Sequence, residues 1–106
     1  MSELGRLTPA ERLLIDRCRR SEGQHEAAAR LGVSWSRYSL MERGHLPSPS
    51  VKIGPPKAHE RCLLYRRRAG YTQARVAAEL GVCRWWLNKM ERGLVPCDQL
   101  VWYWEQ

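Results

Sequence analysis

Four neighbouring side chains in the second half of the chain have the chemistry of nucleobase and phosphate contacts. The guanidinium of Arg84 can donate two hydrogen bonds to guanine O6 and N7, and the amide of Asn88 can pair with adenine or donate to a phosphate. Lys89 suits a phosphate, and the ring of Trp85 can stack on a sugar or press against a thymine methyl group. A tryptophan at this position can instead pack against a protein surface. With Cys83, these residues form the outward-facing positions of a predicted helix.

No set of residues in the sequence has the spacing of a catalytic or metal-binding site. Glu42 and Glu91 occur in matching contexts, but no second carboxylate, nucleophile or ligand lies beside either of them in the sequence. The cysteines form no CxxC pair and the histidines are scattered, so we expect no zinc site, no cofactor and no enzymatic activity. These residues are Cys18, Cys62, Cys83, Cys97, His25, His45 and His59.

The chain has 106 residues and a formal net charge of +7, which favours an anionic partner, with nucleic acid as the first candidate. The charge is unevenly distributed. Residues 1–49 hold 8 Arg against 6 acidic residues, a net +2, whereas residues 50–106 hold 10 Lys and Arg against 5, a net +5. The second half is therefore expected to contribute more of any electrostatic attraction.

Nothing in the sequence predicts export or insertion into a membrane. No apolar run approaches the roughly 18 residues that a transmembrane helix needs. The N-terminal segment MSELGRLTPAER lacks the apolar centre of a signal peptide. We expect a cytoplasmic, nucleoid-associated protein without membrane contact and without an evident small-molecule ligand.

Apolar residues at helical spacing, together with capping residues, predict an all-α fold. Thr8 and Glu11 form a capping box, with proline at the first helical position. Thr72 is a good N-cap for a later helix, and Gly81 provides the turn that follows that helix. The prolines and glycine of PSPSVKIGPPK interrupt the helical pattern and predict a linker. The predicted organisation is a first domain at 1–48, a linker at 49–56 and a second domain at 57–106.

The two predicted domains are copies of one unit. Residues 11–47 align with residues 60–96 without a gap, every position is displaced by 49, and 16 of the 37 pairs are identical. A fixed period of this length indicates two copies of one supersecondary structure, which is too few for a solenoid. The identical pairs include Arg17 and Arg66, Gln24 and Gln73, and Glu42 and Glu91.

The second copy resembles the helix-turn-helix DNA-binding domains of the lambda-repressor/Cro type (XRE family). The matching residues are a helix-one arginine, the start of helix two, the turn with its flanking apolar residues, and the closing ERG and proline. They are Arg66, Gly70 to Gln73, Val76, Ala77, Leu80 to Val82, Glu91 to Gly93 and Pro96. The resemblance covers nearly all of residues 60–106. It implies two tandem lambda-repressor-like domains, each of which presents its third helix to a major groove.

The resemblance also implies roles for individual residues. Glu42 and Glu91 are expected to form structural ion pairs with Arg17 and Arg66. Gln73, at the start of helix two, is expected to donate to a backbone phosphate. In the second copy the DNA-binding residues are expected to be Thr72, Gln73, Arg75, Cys83, Arg84, Trp85, Asn88 and Lys89. In the first copy they are expected to be Gln24, Ser34, Trp35, Ser36, Arg37 and Ser39.

The first copy departs from the family pattern at the start of its second helix. Glu22 and Gly23 stand where the second copy has Tyr71 and Thr72. This exchange removes the hydroxyl cap and places a carboxylate where a phosphate contact is expected. The recognition positions of the first copy are also poorer in charge. We therefore expect an unequal pair, in which the second domain supplies most of the DNA affinity and the first adds orientation, selectivity or a partner contact.

The sequence as a whole predicts a sequence-specific regulator of transcription that binds double-stranded DNA. Repression by operator occupancy is the expected mechanism, in a protein of phage, plasmid or other mobile-element origin. Two alternatives remain open. One is a protein-interaction module, such as an antirepressor or antitoxin, and the other is an excisionase-like accessory factor of recombination.

The C-terminal segment predicts self-association. Residues 100–104 are apolar all round a short helix, so one face can close the core of the second domain while the rest would be exposed on a monomer. We expect a homodimer through this aromatic segment. The alternative is burial of the segment between the two domains.

Overall fold

The computed structural model describes residues 4–105, and all regular structure in that range is helical. The predicted all-α fold is therefore confirmed. No helix within the described range is long and apolar enough to span a bilayer. The helices are α1 (Pro9–Arg19), α2 (Gln24–Leu31), α3 (Trp35–Glu42), α4 (Ala58–Ala69), α5 (Gln73–Leu80), α6 (Arg84–Glu91) and α7 (Asp98–Trp104).

The described chain divides into two units. The first unit is Arg6–Pro55, with α1 to α3, and the second comprises α4 to α7 together with Leu4 and Gly5. The segment predicted as a linker, 49–56, therefore groups with the first unit over most of its length. Val51, which is partly buried, packs against the core of the first unit and connects this segment to it.

The second and third helices of each unit keep the 49-residue register. α2 and α5 begin and end at equivalent positions, and so do α3 and α6. In both units a glycine with positive φ ends the earlier helix, Gly32 at +72° and Gly81 at +75°. Glycine takes this conformation without the strain that a Cβ atom would add. The same residue type therefore forms the turn in both copies.

The first turns of α2 and α5 differ in their capping. Thr72 Oγ1 accepts a hydrogen bond of 3.1 Å from the backbone N–H of Arg75, as predicted for an N-cap. Gly23 has no side chain for this purpose, and Glu26 Oε1 instead accepts from the Gly23 N–H at 3.0 Å. A hydroxyl cap stabilises a helix start by only about a few tenths of a kcal/mol relative to a glycine cap, so the two starts differ slightly in stability.

Each unit has its own apolar core, and the two cores fill equivalent positions with different side chains. Leu13, Ala27 and Tyr38 of the first core correspond to Cys62, Val76 and Leu87 of the second. In the first core, Leu13 and Tyr38 are large and Ala27 is small. In the second core, Cys62 and Val76 are smaller than Leu87. Equivalent positions in the two copies are therefore packed with different apolar side chains.

α7 completes the core of the second unit. Leu100 is fully buried within that core. The described chain has no helix between Glu42 and Ala58, and Leu46 and Val51 pack against the core of the first unit instead. One face of the C-terminal segment therefore closes the second core, as predicted.

Candidate nucleic-acid interface

A buried ion pair links the first and third helices of each unit. In the second unit, Arg66 Nε lies 2.7 Å from Glu91 Oε2, and Arg66 Nη2 lies 3.1 Å from Glu91 Oε1. The first unit repeats the arrangement with Arg17 and Glu42, at 2.6 and 3.3 Å. Both glutamates are almost fully buried, with Glu91 4% and Glu42 3% exposed. The pairing predicted for these four residues is confirmed.

The same arginines also hold the backbone just before the second helix. Arg66 Nη1 donates to the carbonyl oxygen of Tyr71 at 3.1 Å, and Arg17 Nη1 donates to that of Glu22 at 3.0 Å. One guanidinium therefore connects three segments, namely its own helix, the start of the second helix and the end of the third. Because the guanidinium is planar and its donors have fixed directions, this contact set stabilises one angle between the helices.

A glutamine completes each network. Gln73 Nε2 donates to Glu91 Oε1 at 3.0 Å, and Gln24 Nε2 donates to Glu42 Oε1 at 2.9 Å. Both glutamines were predicted to contact DNA. The hydrogen bond that each amide donates to the buried glutamate was not predicted. The repeat contained the signal for it, because arginine, glutamine and glutamate are identical in the two copies.

The network of the first unit has a further donor. Tyr38 Oη donates to Glu42 Oε2 at 2.7 Å, whereas the second unit has Leu87 at the matching position. Burial raises the pKa of Glu42, but hydrogen bonds from the arginine, the tyrosine and the glutamine outweigh burial and hold this pKa below its usual value. The carboxylate is therefore charged at neutral pH and acts as a structural acceptor.

An open depression of about 620 Å³ lies at the start of α5 and α6 in the second unit. Its lining brings together three of the predicted DNA-binding residues, Thr72, Gln73 and Arg84. Arg66 and Ala74 complete the lining. The exposed guanidinium of Arg84 and the first turn of α5 face this space, and both favour an anionic oxygen, whereas Glu91 balances the charge of Arg66.

The outer face of α6 is rich in aromatic and basic groups. Trp85 is 63% exposed and Trp86 is 38% exposed, and their ring centroids are 6.3 Å apart. The ammonium of Lys89 lies 4.4 Å from the centroid of the Trp85 ring, which makes a cation–π contact. Of the other residues predicted on this face, Cys83 and Arg84 are exposed and Asn88 is half-buried.

Arg75, on α5, is held by two contacts within the unit. Its Nε lies 3.2 Å from Glu79 Oε2, and its guanidinium carbon lies 3.7 Å from the centroid of the Tyr71 ring. The hydroxyl of Tyr103 on α7 also donates to Glu79. Arg75 is exposed, so a phosphate at this predicted DNA-binding residue would compete with Glu79 for the guanidinium.

In the first unit, a tryptophan closes the corresponding face. Trp35 occupies the position of Arg84, and its Nε1 donates to Gln24 Oε1 at 3.1 Å. The ring also stacks on His25, with centroids 5.2 Å apart and planes 7° from parallel. The nitrogen and the oxygen of the Gln24 side-chain amide thus both form hydrogen bonds within the first unit, which the sequence did not predict.

Of the other predicted DNA-binding residues of the first unit, two serines accept hydrogen bonds within the unit. Ser34 Oγ accepts from the backbone N–H of Arg37 at 3.2 Å and so caps α3. Ser39 Oγ accepts from Arg43 Nη2 at 3.3 Å. Ser36 and Arg37 are exposed.

Glu22 provides a fixed negative charge just before α2. Its carboxylate accepts from Arg30, with Nε 2.9 Å from Oε2 and Nη2 2.9 Å from Oε1. This hydrogen bonding lowers the pKa of Glu22. The predicted phosphate position of the first unit therefore has an ionised carboxylate beside it, whose charge Arg30 balances.

α7 exposes less apolar surface than its sequence predicts. Leu100 is buried, and Trp104 packs against Tyr65 and Tyr71 with ring centroids 6.0 and 5.8 Å away. Trp102 is 65% exposed. The surface predicted to form a homodimer is therefore centred on one large side chain.

Within residues 4–105, no group of three or more His, Cys, Asp or Glu side chains is arranged to hold a metal ion. Comparison with protein-family models, with curated proteins and with solved structures finds no match for this chain. Its function is therefore inferred from the residues and contacts of the two units.

Proposed function

We propose that the protein is a transcription regulator that binds double-stranded DNA sequence-specifically through two tandem helix-turn-helix domains of the lambda-repressor/Cro type. The observation that supports this most strongly is the depression of the second unit, where Thr72, Gln73 and Arg84 converge beside the exposed face of α6. The net charge of +7 also favours an anionic partner. Occupancy of an operator, with repression as the outcome, is the proposed mechanism, as in a repressor of a phage or other mobile element.

In this mechanism α6 lies in the major groove. Arg84, in its first turn, donates to O6 and N7 of a guanine, and Lys89 donates to a phosphate. Thr72 and Gln73, at the start of α5, contact a second phosphate. The hydrogen bond from Gln73 to Glu91 holds the amide in place before DNA arrives, which lowers the entropy lost on binding.

The two domains contribute unequally in this proposal. In the first, Trp35 engages Gln24, and the Glu22 carboxylate lies just before α2. In the second, Arg84 replaces the tryptophan and lines an open depression. The second domain therefore supplies most of the affinity, and the first orients the protein or contacts another molecule.

The test is selection of binding sites from random duplexes with the intact chain, followed by equilibrium binding over a range of salt concentrations. We expect one sequence to be enriched. We also expect the logarithm of the affinity to fall with the logarithm of the salt concentration, with a slope of about −0.9 for each phosphate contacted. A scrambled duplex of the same length is the control, and it should bind more weakly by a factor of about 10³ or more. The proposal is wrong if no sequence is enriched, or if the affinity for an enriched sequence does not depend on salt.

One observation favours a second function, protein binding by the first unit. Trp35 is 46% exposed and stacks on the exposed His25. Exposed aromatic groups are enriched at protein interfaces. A failed selection together with a tightly bound protein would favour the antirepressor or antitoxin-like role. An enriched site at a recombination attachment site, rather than at a promoter, would favour the excisionase-like role.

We further propose that the protein forms a homodimer through Trp102. A tryptophan that is 65% exposed on a short helix is a typical centre for a protein contact. Sedimentation equilibrium of the intact chain is expected to detect a dimer, and Trp102→Ser is expected to weaken it by about tenfold or more. A wild-type chain that stays monomeric at the concentrations that saturate the operator would contradict this.

A further inference from the structure

Trp85, which is exposed, and Lys89, which is half-buried, form an aromatic and cationic pair on the outer face of α6. We propose that this pair recognises the 5-methyl group of a pyrimidine in the major groove, next to the guanine that Arg84 contacts. The ligand class is a 5-methylpyrimidine, which is thymine or 5-methylcytosine. The inference rests on the proposed function, because it requires α6 to lie in the major groove.

The geometry of the pair orients the indole ring. Trp85 and Lys89 are four residues apart on α6 and therefore share one face of the helix. The ammonium lies 4.4 Å from the ring centroid and covers one face of the ring. Trp85 nevertheless remains 63% exposed. A flat apolar surface in a fixed orientation is thus presented beside a positive charge.

The major groove offers a matching group. The base edges there carry hydrogen-bond donors and acceptors, together with the apolar 5-methyl group of thymine. A methyl group at the same ring position distinguishes 5-methylcytosine from cytosine. The ammonium of Lys89 complements the neighbouring acceptors, which are guanine O6 and N7 and the phosphate oxygens.

The position of the pair on the helix places the methyl group beside a guanine. Arg84 directly precedes Trp85, and both lie in the first turn of α6. The first turn of a recognition helix is the part that contacts base edges. The two adjacent side chains are therefore expected to contact neighbouring base pairs, one through a bidentate hydrogen bond and the other through an apolar contact.

The same geometry disfavours insertion of Trp85 between stacked bases. A wedge between base steps needs both faces of the side chain to be bare, whereas Lys89 covers one face of this ring. The first unit lacks the pair, because Ser36 and Leu40 occupy the matching positions. Recognition of the methyl group is therefore assigned to the second unit.

The experiment uses the intact chain and the duplex enriched by selection, with each thymine replaced in turn by uracil, which removes the methyl group and leaves the base pairing unchanged. Loss of one buried methyl group is expected to weaken wild-type binding about fourfold at one position. Trp85→Ala, checked for helical content by circular dichroism, should bind the thymine and uracil duplexes equally. Lys89→Gln keeps the ring but releases its orientation, so it should show a smaller difference than the wild type.

Leu94→Ala is the matched control, because it removes a large apolar side chain of similar exposure, 59%, that lies outside α6 and has no role in the proposed contacts. It should retain the fourfold difference between thymine and uracil. In a second set of duplexes, each cytosine is replaced by 5-methylcytosine, and tighter binding at one position would identify that base as the source of the methyl group.

The inference is overturned if neither set of duplexes changes the wild-type affinity, or if the change persists in Trp85→Ala. A failed selection would have a different meaning. It would overturn the proposed function, and this inference with it, before any methyl group is varied.

Discussion

Replacing Glu91 with glutamine is expected to lower the free energy of unfolding of the second unit by about 3 kcal/mol, because it leaves the largely buried charge of Arg66 without its counter-ion. Glu91 is 4% exposed, and its carboxylate accepts hydrogen bonds from Arg66 and Gln73. The measurement is hydrogen exchange of the backbone amides of α5 and α6, which reports on the second unit separately from the first.

Two further variants separate the ion pair from general damage to the fold. The double variant Arg66→Met/Glu91→Met removes both charges and is expected to be less destabilised than Glu91→Gln. Glu79→Gln breaks an exposed pair with Arg75 and is expected to leave the exchange rates nearly unchanged. Equal and small effects of Glu91→Gln and Glu79→Gln would contradict a stabilising role for the buried pair.

Replacing Arg84 with alanine is expected to lower the affinity for the selected duplex by about 10- to 100-fold, because a bidentate contact with guanine is lost. The loss should be specific to one base pair. The wild type should discriminate guanine from adenine at that position, and Arg84→Ala should bind both duplexes with similar affinity. Equilibrium competition between the two duplexes measures this discrimination.

Arg37→Ala is the matched control for Arg84→Ala. Arg37 is an exposed arginine in the third helix of the first unit, so its replacement removes the same charge from the weaker domain. We expect a much smaller loss of affinity and unchanged base discrimination. Equal losses from the two variants would contradict the unequal contribution of the two domains.

Much of the fold was predictable because the chain contains the same unit twice. The shared register of 49 identified the turn glycines, Gly32 and Gly81, and the structure places them between helices that begin and end at equivalent positions. The pairing of Arg66 with Glu91 was expected from the resemblance to lambda-repressor/Cro-type domains, and the structure shows it. Helix periodicity and an internal repeat are properties that one sequence can reveal.

Contacts that depend on single side-chain conformations were not predictable in this way. Trp35 was expected at a DNA surface, and the structure shows its ring bonded to Gln24 and stacked on His25. The second copy has Ala74 in place of His25, so the repeat contained no sign of the stack. The packing of Val51 against the first core was missed for a similar reason, because one apolar residue in a proline-rich segment produces no periodic pattern.

The most direct measurement of base reading by α6 is methylation interference with dimethyl sulfate on the selected duplex. This reagent methylates guanine at N7, in the major groove, and adenine at N3, in the minor groove. We expect methylation of one guanine to block binding of the wild type, and we expect Arg84→Ala to lose sensitivity at that guanine. Interference confined to adenine N3, or guanine interference that is unchanged in Arg84→Ala, would contradict recognition of the major groove by the second domain.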